Sequence, residues 1–187
     1  MKTPASLILF AALLGIAACA SGRKYQDAKM DFGAVRTVAV MPFTNLTNIS
    51  PAGERVRDVF STMLLSTGAV YVLPSGEVSR AVSRNAILAP ATPSKEEVIA
   101  LGKLLSADAV ITGVLKEYGE VRSGSSTSNV ISVSVEMTET QTGKVVWAAA
   151  STRGGVSFWD RLFGGGGDPM NPITEDAVRD LLNKLFH

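Results

Sequence analysis

The chain holds one histidine and one cysteine in 187 residues, and the histidine, His187, comes last. Termini fray, so a Ser-His-Asp triad, a Cys-His nucleophile and a His-rich metal site are all excluded. With Cys19 alone, no internal disulfide can form. An excess of charge is missing too: 18 basic residues face 17 acidic ones. That balance lacks the basic stripe of a nucleic-acid footprint. No internal repeat is visible, and the apolar run from Leu7 to Ala18 falls short of the about 20 residues that span a bilayer. The remaining carboxylate pairs, Glu96-Glu97 and Glu175-Asp176, are expected in first helical turns, where acidic groups complement the helix dipole. No catalytic residue, metal site or enzymatic activity is expected.

What is present begins at the amino terminus. Lys2, the apolar run and the small residues before Cys19 have the layout of a secretory signal peptide. Ile16-Ala17-Ala18-Cys19 resembles the bacterial lipobox, which implies cleavage after residue 18 and lipid, including palmitate, on Cys19. This covalent lipid is the only non-protein group expected; no cofactor is. The alternative is an ordinary signal peptide with a Cys near its cut site. Ala20 after the cysteine implies, by analogy with enteric lipoproteins, the periplasmic face of the outer membrane. Residues 19–33 then read as a polar tether, spanning at most about 45–50 Å when extended, and residues 34–187 as one domain.

Val35–Phe43 is β-branched and reads as a buried strand ended by Pro42. Ser50-Pro51 opens a helix whose core face carries Val56, Val59, Phe60, Met63 and Leu64, with Glu54, Arg55, Arg57 and Asp58 on the other side. After a short strand at Val70–Leu73, Ser75 starts a helix with Val78, Ala81 and Val82 inside. Ser94 and Glu97 form a capping box, followed by Val98, Leu101, Leu104 and Leu105 on one face. Asp108–Leu115 is a further strand, and Val121–Asn129 a small-residue loop, either a mobile connection or a segment that orders on assembly. Val130–Glu139 alternates, so one face is buried and the other polar. A Thr-Gly turn leads into a strand through Trp147, and an amphipathic helix from Ile173 to Phe186 ends the chain. The order β-α-β-α-α-β-β-β-α predicts an α+β domain, a mixed sheet packed with helices.

Ser157–Met170 places Phe158, Trp159, Leu162 and Phe163 beside Gly164–Gly167. The glycines lack the Gly-Lys-Ser/Thr ending of a phosphate loop. In one helical turn the four large side chains share a side. They cover the protomer's own core, or they contact the membrane interface or a neighbouring subunit; Trp suits an interface because its ring is both apolar and polar.

"VAVMPFTNLT", "GAVYVLPSGEVSRAV", "LGKLLSADAVITGVLKEYGE" and "TETQTGKVVWAAAS", in that order, resemble a superfamily of bacterial envelope lipoproteins. It includes CsgG, PelC, LpoB and the amino-terminal domain of TolB. The resemblance covers about Val35 to Ser151 and the last helix, and implies a non-enzymatic periplasmic domain that works by assembly. CsgG-like pores carry two membrane-spanning hairpins that this chain lacks, and LpoB-like activators have a long tether. The size and layout are most similar to PelC-like proteins. The resemblance therefore implies, first, an oligomeric ring component of a secretion apparatus, with polysaccharide export and biofilm formation as its setting and an outer-membrane export pore as its partner. The alternative is a lipoprotein regulator that binds a peptidoglycan synthase or another envelope enzyme.

Overall fold

The computed structural model describes residues 24–123, 126–155 and 168–187. The β-branched and apolar runs become strands, with a helix wherever the apolar period lengthens to that of a helix face. In chain order the elements are β1 Lys24–Gln26, a 3-10 turn at Phe32–Ala34, β2 Thr37–Val40, β3 Thr44–Asn45, α1 Ala52–Ser66 and β4 Tyr71–Val72. They continue with α2 Ser75–Arg84, α3 Lys95–Leu105, β5 Ala109–Ser123, β6 Ser126–Glu139, β7 Val145–Gly154 and α4 Met170–Phe186. All seven strands form one sheet in the order β1-β7-β6-β5-β2-β4, with β3 pairing β5 beyond the end of β2. β2, β3, β4 and β5 run parallel, and β5, β6, β7 and β1 antiparallel. The fold is thus the mixed α+β arrangement that the element order implies.

Helices lie on both faces. α1 and α4 cover one, where Phe60, Leu64, Val178 and Leu181 pack on Ile111, Ile131, Val133, Val135 and Trp147. α2 and α3 cover the other, but only over β2 and the start of β5, through Val78, Ala81, Val98, Leu101 and Leu105. The capping box forms as its sequence implies: the Ser94 amide donates to Glu97 Oε2 at 2.6 Å, and the Glu97 amide to Ser94 Oγ at 3.3 Å. Trp147 is a core residue, fully buried, and its indole donates to the Lys184 carbonyl at 3.2 Å.

Several expectations are corrected. The polar stretch read as tether contributes β1, because the outer edge of β7 from Trp147 to Ala149 takes a backbone partner there; Met30 and Phe32 then pack on the core. The small-residue stretch at Val121–Asn129 is mostly strand, since Val, Thr and Ser suit an antiparallel ladder, and β5 and β6 pair out to Ser123 and Ser126. Arg57 is buried instead of solvated. Leu104 faces outward, and Gly102 takes the inner position. The last helix starts at Met170, which puts Glu175 and Asp176 beyond its first turn.

Candidate functional site

Cys19 lies outside the described residues, as do Phe158, Trp159, Leu162 and Phe163. The structure instead places the described residues that flank their segments. Lys24 stands opposite Ala149 and is the residue of β1 nearest the Gly154 end of β7. The described chain stops at Gly155, next to that end, and resumes at Asp168. Asn129 clasps both roots: its carbonyl accepts from the Gly155 amide at 2.7 Å, and its side-chain amide donates to the Asp168 carbonyl at 3.0 Å. Ser128 Oγ adds a bond of 2.8 Å to the Gly155 carbonyl. Gly154 has φ +80°, and a Cβ there would meet the Asn129 carbonyl oxygen at 2.1 Å, so only glycine fits. Sequence reasoning missed the bonds that Ser128 and Asn129 make here; Gly154-Gly155, closing a strand, was the available signal.

A second feature is the sheet face over β5, β6 and β7 that no described element covers. Cross-strand register places Glu136 between Thr112 and Ala148, Ser134 between Val114 and Ala150, and Ser132 beside Thr152. Thr152 Oγ1 donates to Ser132 Oγ at 3.1 Å. These side chains are small and mostly polar, while their neighbours along β6, Ile131, Val133, Val135 and Met137, are buried on the opposite face. A groove of about 370 Å³ runs between this surface and the start of α3, with Lys95 and Glu136 among its walls. The Glu136 carboxylate is exposed and has no ion pair or hydrogen bond among the described residues. Such a surface suits an extended or flat polar partner.

A charged network borders the clasped end. Asp180 pairs with Arg153 and with Lys184, each at 2.6 Å, and Lys184 also donates to the Ala150 carbonyl at 2.8 Å. Burial pushes the Asp180 carboxyl up, but the Lys184 hydrogen bond and the Lys184 and Arg153 charges outweigh it and hold the group below its ordinary value. The Ser151 hydroxyl lies nearby, without a hydrogen bond of ordinary geometry. Among the described residues no cluster of His, Cys, Asp or Glu is placed to hold a metal, and no helix is long and apolar enough to cross a membrane.

A family model described as the peptidoglycan-synthase activator LpoB matches residues 18–152. No curated protein matches the sequence. Among solved structures, the chain is similar to the PelC dodecamer from Paraburkholderia phytofirmans, at 18% identity and TM-score 0.57, covering 87% of this chain and 94% of that one. It is similar to lipoprotein GNA1162 from Neisseria meningitidis at 17% identity and TM-score 0.57, covering 80% and 97%. The hypothetical protein CT253 from Chlamydia trachomatis aligns at 18% identity and TM-score 0.50, covering 81% and 96%. These likenesses concern the fold.

Proposed function

The chain belongs to the peptidoglycan-synthase activator LpoB family, and from that premise we propose that it is a lipid-anchored periplasmic regulator. Its partner in this reading is a peptidoglycan synthase or another envelope enzyme. The observation that carries the reading is the family match, which takes in Cys19 and the elements from β1 into β7. The regulator acts by contact and presents to the partner the face of β5–β7 that no described element covers. With lipid on Cys19 at the outer membrane, five peptide units link the anchor to Lys24, at most about 17 Å. The domain therefore stays against its membrane, and the partner comes to it. Capture of the acylated protein from its own envelope after cross-linking tests this. A synthase is expected in the captured fraction, and recovery of only copies of this chain contradicts the reading.

The ring component of polysaccharide export, first on the sequence alone, becomes the second reading. It is supported by the fold shared with PelC, whose structure is a dodecamer, and its identity of 18% gives it less weight than the family match. A native mass measurement of the acylated protein separates the two, since a ring requires a discrete large assembly and a regulator does not.

In both readings Phe158, Trp159, Leu162 and Phe163 form a contact with membrane or neighbour. Lys24 and Gly155, the described residues next to the two segments, lie toward the same end of β7, which supports this. Phe158→Ala with Trp159→Ala is expected to weaken membrane association or assembly at an unchanged melting temperature. A large drop in melting temperature would place the cluster in the core instead.

A further inference from the structure

An apolar groove of about 340 Å³ opens near the ends of β2 and β4 that lie away from the clasp. Phe32, Leu64, Val70, Met137, Leu185 and Phe186 line it, drawn from the 3-10 turn, α1, α4 and the sheet. Leu64, Met137 and Leu185 are buried at its floor, while Phe186 is 40% exposed. Its polar side chains are those of Gln26 and Arg36. Both are exposed, and neither side chain makes an ion pair or hydrogen bond among the described residues. Two carboxylates beside the lining are engaged by backbone amides: Asp108 by those of Arg36 and Thr37 at 2.8 and 2.9 Å, and Asp31 by that of Gly33 at 2.9 Å.

An apolar interior with a free cation among its exposed lining is complementary to an amphiphile that has one tail and one negative head. The volume lies at the small end of the ~300–1,000 Å³ typical of ligand pockets, which suits a single acyl chain. We infer that this groove binds a single-chain anionic amphiphile, a long-chain fatty carboxylate, with the tail against Leu64, Met137 and Leu185 and the head on Arg36. A lipid on Cys19 would not match: a diacylglyceryl group is neutral, and β1 meets the groove at Gln26, its carboxy-terminal end. The site is separate from the β5–β7 face and does not depend on the identity of the protein partner.

The test uses the acylated full-length protein in phosphatidylcholine nanodiscs with a dodecanoate carrying a terminal diazirine. Photolysis is expected to label peptides containing Val70 or Leu185–Phe186. Arg36→Gln, or an uncharged dodecanol version of the probe, is expected to lower labelling about threefold, the effect of one exposed charge pair. Val70→Trp, which fills the groove, is expected to abolish it. If Val70→Trp fails to fold by circular dichroism, the surface variant Arg36→Gln still decides. Labelling elsewhere, or labelling indifferent to both head group and Arg36→Gln, overturns the inference. So does labelling of the same peptides by a diazirine acyl chain incorporated on Cys19, because the groove then houses the protein's own lipid.

Discussion

Arg57 occupies a lane that no strand fills. The Val38 carbonyl accepts from Leu73, just past β4. Two residues on, the Val40 carbonyl points the same way beyond the end of that strand. Arg57 supplies the missing donors, Nε at 3.2 Å and Nη2 at 2.9 Å. Arg57→Ala should leave a buried acceptor unpaired and cost about 1–3 kcal/mol in urea unfolding. Arg57→Lys should recover only part of it, because one ammonium lacks the guanidinium fork. Asp180 gives a pH signature. Its folded pKa is depressed, so its stabilising contribution is complete above the ordinary carboxylate range of about 4 and fades as pH falls through the folded value. Asp180→Asn should therefore melt below the parent at neutral pH, with the gap closing below about pH 4. A gap that is constant with pH would rule out that linkage. Neither role was legible in the sequence: Arg57 sits among charged neighbours at a helical spacing that reads as solvated, and its burial depends on where β4 stops.

The elements close on one another through small residues at defined places. α3 approaches the β6–β7 turn at Gly102, where a Cβ would lie 2.3 Å from the Thr140 Cβ. Thr140 has little freedom to retreat, since its hydroxyl bonds the Ala107 and Asp108 carbonyls at 2.6 and 3.0 Å. Gly102→Val should therefore lower stability by about 1–3 kcal/mol or more, through overpacking, readable as a shifted urea midpoint. Helix identities, the capping box and the polar face of β6 were all legible, because each rests on local spacing. The exposure of Leu104 and the edge strand β1 were not, because both follow from contacts made across the sheet. Of the candidate contacts, the alternation in Val130–Glu139 announced the open face. The Asn129 clasp stayed hidden in a stretch whose composition reads as loop.

Across the molecule, the described helices cover the sheet unequally. α1 and α4 close one face, and among the described residues no element covers β6 and β7 on the other. The family relation supplies a reason for an open face, a protein partner. Glu136→Lys with Ala150→Lys, both at exposed positions, should change stability by no more than about 0.5 kcal/mol while weakening capture of that partner. Unchanged capture would move the contact to another surface. The most direct measurement is the glycan polymerisation rate of the co-purifying peptidoglycan synthase, with and without one equivalent of the acylated protein in the same bilayer. The account predicts a faster rate that the open-face double variant does not produce; a rate indifferent to the protein contradicts it.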